Sequence, residues 1–156
     1  MALSNIGTAH VVAATLGLLS GAIQLTRTRR DATHRRIGYV YVSAMAISNV
    51  TALLVYRFTG GFNIFHALAI YNLFNVSMAL RPMLANPRPW QWRRQHYMWV
   101  AYSYAGLSAA ALTEFLVRVV GMDGWLGAAV GTPPVILIGA VLIHHFAPPL
   151  RPPAPA

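Results

Sequence analysis

Residues 61–72 read GFNIFHALAIYN, and the histidine in the middle of this stretch, His66, decides how the rest of the chain is read. It opens an apolar run, and no acidic residue lies between Asp31 and Glu114 to pair with it. In a soluble domain such a side chain would sit beside water or a carboxylate. Inside a membrane an ionisable group is costly, and it is usually functional or specifically paired. The composition selects the second setting. Hydrophobic residues make up 56% of the 156 residues and charged residues only 10%, against about 25% in a typical soluble domain. The expected fold class is all-α, an integral membrane helical bundle.

The charge is one-sided. Twelve arginines face Asp31, Glu114 and Asp123, for a formal net charge of +9, and lysine and cysteine are absent. Without cysteine there is no disulfide framework, thiolate metal site or thiol nucleophile. A basic soluble chain would suggest nucleic acid. Here the arginines fall between apolar runs, as at the ends of membrane helices, so the expected partner is the lipid bilayer and not nucleic acid. The opening MALSNIG has no basic n-region, and a cleavable signal peptide is not expected.

A membrane helix needs about 20 mostly apolar residues. Five runs qualify: about 5–26, 36–57, 63–84, 97–119 and 125–147. Together they form a single domain over 1–147, followed by a proline-rich tail at 148–156. Arg27, Arg29, Arg30, Asp31, Arg35 and Arg36 occupy the first connection, and Arg81, Arg88, Arg93 and Arg94 the third. The positive-inside rule places both arginine loops and the C-terminus in the cytoplasm and the N-terminus outside, in a multi-pass protein of a bacterial inner membrane. Arg57, Arg118 and Asp123 are the charged groups of the two short loops. Pro133-Pro134 lies in the fifth run and is expected to kink it or break it in two.

The first four runs form a weak repeat. Each unit is a helical hairpin with one histidine opening its first helix (His10, His66) and one just before its second (His34, His96). Two hairpins give four core transmembrane helices, and the fifth, Pro-interrupted helix is appended. His10 and His66 then share one level and His34 and His96 another, ~20 Å away along the bundle. One metal centre cannot span that distance, but two sites with a histidine from each hairpin can. The face of His10 carries Ala13, Ala14, Gly17, Gly21 and Gln24. Such small residues suit close helix packing or leave room for a flat cofactor. Glu114 and Arg118, four apart, are expected to pair.

Zinc and copper accept imidazole, but two neutral histidines compensate a buried divalent ion poorly, and structural zinc sites use four ligands. Haem b needs only axial ligands. Its propionates match arginine, which the arginine loops offer as Arg35, Arg36, Arg93 and Arg94. Topology alone also explains those arginines.

The stretches THRRIGYVYV, GGFNIFHALAIYNL and RRQHYMWVAYSYAGL, preceded by TAHVVAA, resemble an uncharacterised family of small bacterial predicted membrane proteins with a domain of unknown function. The matching positions are His10; His34, Arg35 and Gly38; Gly61, Phe62 and His66; and His96. The resemblance covers about residues 8–118. Arg93 and Arg94 precede the last histidine, where family members often carry arginine after it. In layout the chain is more distantly similar to di-haem membrane cytochromes b. That likeness implies a membrane oxidoreductase in the sense of an electron carrier, with His10 and His66 on one haem, His34 and His96 on a second, and a quinone or redox partner. The alternatives are a membrane protein that binds or moves zinc or copper with the outer histidine pair, and a non-enzymatic structural or assembly subunit, as a homo-oligomer or within a larger complex.

Overall fold

A computed structural model of the chain describes residues 4–27, 29–54 and 61–150. Arg57 and the tail beyond Leu150 lie outside these residues. Five helices are present: α1 (Asn5–Thr26), α2 (Ala32–Leu53), α3 (Ile64–Leu84), α4 (Trp92–Arg118) and α5 (Gly124–Phe146). No strand occurs among the described residues.

Local chemistry sets where the helices start. Ser4 caps α1 through the Gly7 amide at 3.2 Å. Asp31 caps α2 through the His34 amide at 3.0 Å and reaches Arg27 at 2.8 Å. Asp123 caps α5 through the Trp125 and Leu126 amides. Each of these side chains satisfies backbone donors that the first turn leaves open. Because Asp31 supplies a cap, α2 begins at Ala32, four residues before the start read from hydropathy. It thereby takes His34, Arg35 and Arg36 into its first turns. α4 likewise begins at Trp92, five residues early, behind a turn in which the Trp92 amide bonds Pro89 O at 2.9 Å. α5 is not broken in two: it runs as one helix through Pro133 and Pro134. Beside the two prolines Thr132 Oγ1 meets Thr113 Oγ1 of α4 at 3.2 Å.

α1 packs on α2, α2 on α3, α3 on α4, and α4 back on α1, which closes a ring of four helices. α5 packs on α4 alone among the described residues, outside the ring. α1 and α3 are therefore diagonal, as are α2 and α4. Tyr41, Met45, Val76 and Leu107 form the central apolar cluster. α1 approaches it with Ala13, Gly17, Ser20 and Gly21, the small-residue face anticipated from sequence. The space beside those residues is filled. A Cβ on Gly21 would stand 2.4 Å from Tyr104 Cδ2 and 2.8 Å from Tyr41 Cε2, and one on Gly17 3.0 Å from Leu107 Cδ2. Close packing, rather than room for a flat cofactor, accounts for the stripe at Gly21.

The distribution of side chains is inverted relative to a soluble bundle. Leu16, Ile23, Ile47, Val50, Phe74 and Val141 are exposed, while Ser48, Asn49, His66, Asn72, Asn75, Ser103 and Thr113 are buried. α1, α4 and α5 are each long and apolar enough to cross a membrane. α2 and α3 bury Ser48, Asn49, His66, Asn72 and Asn75 in the ring and carry Arg35, Arg36 and Arg81 exposed near their ends.

Candidate functional site

The four histidines singled out by sequence occupy the two ends of the ring, and both pairs come from diagonal helices. At the arginine-rich end, His96 donates Nδ1–H to Ala79 O of α3 at 2.9 Å. That bond fixes the tautomer and leaves the Nε2 lone pair available. Metal-bound histidines usually hold their second nitrogen in this way. His34, in the first turn of α2, buries Nδ1 without a hydrogen-bond partner among the described residues. Its pKa is lowered, first by burial, then by the neighbouring His96 and by Arg30. His34 and His96 are thus within electrostatic reach across the ring, and His34 favours the neutral form that a metal ligand requires.

Two further groups lie beside His34. Gln24 of α1 donates Nε2–H to His34 O at 2.8 Å and buries its Oε1 without a partner among the described residues. Arg27 buries Nε in the same way while an outer nitrogen pairs with Asp31. The Asp31 carboxyl is held below its ordinary value, chiefly by the His34 amide and with Arg27 contributing. Arg27 was among the inner-loop arginines expected to meet propionates, whereas Gln24 was not an expected site residue. Gln24 was visible as the one long polar side chain on the small-residue face of α1.

The expected arginines divide. Arg35 and Arg36 are exposed on the first turns of α2. Arg93 lies over the Trp92 ring at 5.4 Å, as Arg88 does at 5.1 Å. Arg94 donates to Pro148 O at 2.8 Å and ties the segment after α5 to the start of α4. His144, at the end of α5, meets the Tyr102 hydroxyl at 3.0 Å.

The opposite end is built differently. His10 donates Nδ1–H to Ser48 O at 2.9 Å and approaches Thr51 Oγ1 at 3.2 Å. It joins α1 to α2 and leaves Nε2 as the lone-pair nitrogen. His66 is 2% exposed. Its Nδ1 accepts the Asn63 amide N–H at 3.2 Å, while the Asn63 side chain caps the first turn. This is a reciprocal capping box with histidine in the place usually held by Glu or Gln. Phe62 stacks on the ring at 5.4 Å. With Nδ1 accepting, a neutral His66 carries its proton on Nε2 and presents a donor there, the reverse of His10 and His96. Glu114 and Arg118 pair at this end of α4, as expected from their spacing.

Among the described residues no three His, Asp or Glu side chains gather into a metal cluster. At the His34/His96 end His96 keeps an Nε2 lone pair, whereas at the other end His66 accepts through Nδ1.

The chain belongs to the family described as Predicted membrane protein (DUF2306), which matches residues 7–150. It is therefore a membrane protein, and its exposed apolar faces are the faces that lipid covers. No curated protein and no solved structure matches it.

Proposed function

We propose that the chain is a b-type haem-binding electron carrier of a bacterial inner membrane, with His34 and His96 as axial ligands. The observation that carries this reading is the anchoring of His96 through Nδ1 on Ala79 O, at the end of the ring where His34 lies within its electrostatic reach. Haem would supply reversible one-electron chemistry at iron. The chain's own part is to fix the His96 tautomer through Ala79 O, to keep the His34 ring partly buried, and to offer cations to the propionates. Arg27 Nε and the exposed Arg35 and Arg36 are the nearest candidates for that last role. Arg93 and Arg94 stand at the same end, engaged with Trp92 and Pro148.

In this reading α1 to α4 all span the bilayer, with the arginine-rich end in the cytoplasm and the N-terminus outside. The polar residues of α2 and α3 are sequestered in the ring, so lipid meets mainly their apolar faces. A quinone or a partner subunit would take the electron.

A second reading is favoured at the other end by one observation. The capping box gives His66 a structural task that needs no ligand. His10 keeps a ligand-competent nitrogen, so a second haem there would draw on His10 and would require His66 to give up the Asn63 amide.

The test is the absorption spectrum of detergent-purified protein after haem-replete expression, oxidised and then reduced with dithionite, with iron, zinc and copper quantified on the same sample. A Soret band with sharp reduced α and β bands is expected, lost in both His34→Ala and His96→Ala. A colourless protein with stoichiometric zinc or copper would replace haem by a metal-binding role. A colourless, metal-free protein would leave a structural or assembly subunit.

A further inference from the structure

Midway between the two histidine levels the ring contains a polar layer. Tyr41 lies seven residues beyond His34 and seven before Ser48, the partner of His10, so it stands about 10 Å from each level. Its hydroxyl meets Ser103 Oγ of α4 at 2.7 Å. Ser103 gives its own proton to Val100 O at 2.8 Å. Tyr41 is therefore the donor of the pair, and its oxygen keeps acceptor capacity. α3 supplies the rest. Ala79 faces His96, and Asn72 faces Gly106, where a Cβ would lie 3.4 Å from Asn72 Oδ1. In this antiparallel register Asn75 falls between the two contacts, level with Ser103.

Asn75 and Ser103 are both 0% exposed, and Asn72 is buried beside them. Neither amide atom of Asn75, nor Asn72 Oδ1, has a hydrogen-bond partner among the described residues. Fully buried amides are almost always satisfied, by protein or by ordered water. The Asn75 amide and the Tyr41 hydroxyl lie near the Ser103 level, and Asn72 Oδ1 lies about one helical turn away, facing Gly106. Ordered water needs two to four such partners.

We infer that Tyr41, Asn72, Asn75 and Ser103 hold ordered water at the centre of the ring and form the middle segment of a proton path between its two histidine ends. The Asn72 and Asn75 amides order the water, and the water and the Tyr41 hydroxyl pass the proton. For each proton accepted at the His10 end one is released at the His34/His96 end. Each water takes one proton and gives one; Tyr41 takes one at its free lone pair and gives one to Ser103 Oγ, which turns its own proton from Val100 O to the next water, so no redox partner is needed. Buried Asn49 and Ser48 lie between Tyr41 and the His10 end, where His10 donates to the Ser48 backbone carbonyl, and Gln24 Oε1 lies beside His34. The path needs no haem, so its failure and that of the haem reading are separate outcomes.

The experiment uses the full chain in vesicles loaded with a pH-sensitive dye and driven by a valinomycin-clamped potassium gradient. Proton entry at least severalfold above protein-free vesicles is expected. Asn75→Leu and Tyr41→Phe should each cut the protein-dependent rate tenfold or more, and Val141→Ala on the exposed face of α5 should not change it. Should Asn75→Leu fail to fold, Ser103→Ala and Tyr41→Phe each remove a single hydroxyl and carry the same expectation. A second readout is magnetisation transfer from water to the Asn72 and Asn75 side-chain amides in 15N-asparagine-labelled protein, which the inference requires to be present. Entry no faster than in protein-free vesicles overturns it. So does a folded Asn75→Leu or Tyr41→Phe variant that conducts like the parent, or an absence of water transfer at both amides.

Discussion

Gly21→Ala tests the packing on which both histidine ends depend. A Cβ at this position would lie 2.4 and 2.7 Å from two carbons of the Tyr104 ring and 2.8 Å from Tyr41 Cε2. Carbon atoms prefer about 3.5–4.0 Å, so at least one ring must move by roughly 1 Å. These are atoms of rigid rings, and the rings sit against the central cluster. Overpacking of this kind costs about 1–3 kcal/mol. If Tyr41 is the ring that moves, its 2.7 Å bond to Ser103 is lost as well, at about 0.5–1.5 kcal/mol. The alanine returns about 0.5–1 kcal/mol through helix propensity. The net expectation is a destabilisation of about 1–3 kcal/mol. Gly17→Ala, one turn away on the same helix, is the control. Its propensity gain is the same, but its one tight contact is the tip of Leu107 at 3.0 Å, with Met45 Sδ and Ala44 Cβ at ordinary distances of 3.6 and 3.9 Å. The Leu107 side chain can rotate aside, so the change should stay within about 1 kcal/mol of zero. Thermal unfolding of both variants in one detergent, followed by near-ultraviolet circular dichroism, gives the comparison. If Gly21→Ala melts at or above the temperature of Gly17→Ala, the packing argument is wrong.

The capping box predicts that Asn63→Ala costs about 1 kcal/mol. His66→Gln should keep most of the stability that His66→Ala loses, because a glutamine at that position can accept the same amide; equal melting temperatures for the two His66 variants would refute the capping role. At the α2 start, Asp31→Ala should lower the melting temperature and Asp31→Asn should recover most of it, since asparagine still accepts the His34 amide. The lowered pKa of His34 carries a pH signature. Between the unfolded value near 6.5 and the lower folded value, the unfolded chain binds more protons at this site. Stability should therefore be full above about pH 6.5 and fall as the pH drops through that window. In His34→Gln that part of the slope should flatten, as read from melting temperatures between pH 7.5 and 5.

Much of the fold was legible because a helix in lipid must satisfy its own backbone, so the length of an apolar run is nearly the length of the element. The starts of α2 and α4 were less so. A hydropathy window stops at Arg35-Arg36 and at Arg93-Arg94, whereas the helix starts where Asp31 caps it or where the Pro89 turn hands over to Trp92. The fifth run was expected to kink or break at Pro133-Pro134, and of these the break does not occur: α5 is one helix through both prolines. The four histidines and their two levels were visible as spacing. Which nitrogen each presents was not, because that is decided by Ser48 O, Asn63 N–H and Ala79 O, all fixed by folding. Asn72 and Asn75 were in plain sight as amides within an apolar run. Their importance depends on the α3–α4 register that sets them level with Gly106 and Ser103, and no single helix encodes that register.

The same reasoning ties the weak hydropathy of α2 and α3 to the site itself. α1, α4 and α5 qualify as candidate spans on average apolarity, whereas α2 and α3 carry exposed Arg35, Arg36 and Arg81 together with buried Ser48, Asn49, His66, Asn72 and Asn75. A helix average treats every face alike, yet lipid touches only the outer one, where Ile47, Val50, Ile70 and Phe74 lie. The buried polar groups are costly in such an interior unless something satisfies them. His10 and His96 find backbone carbonyls on neighbouring helices, and His66 finds an amide at its own helix start. Asn75 finds neither among the described residues. A ring held together only by packing would be expected to carry leucine there, which would fill the same volume without two unsatisfied atoms. An asparagine at this depth is therefore better explained by something that occupies the ring with it than by the stability of the ring itself.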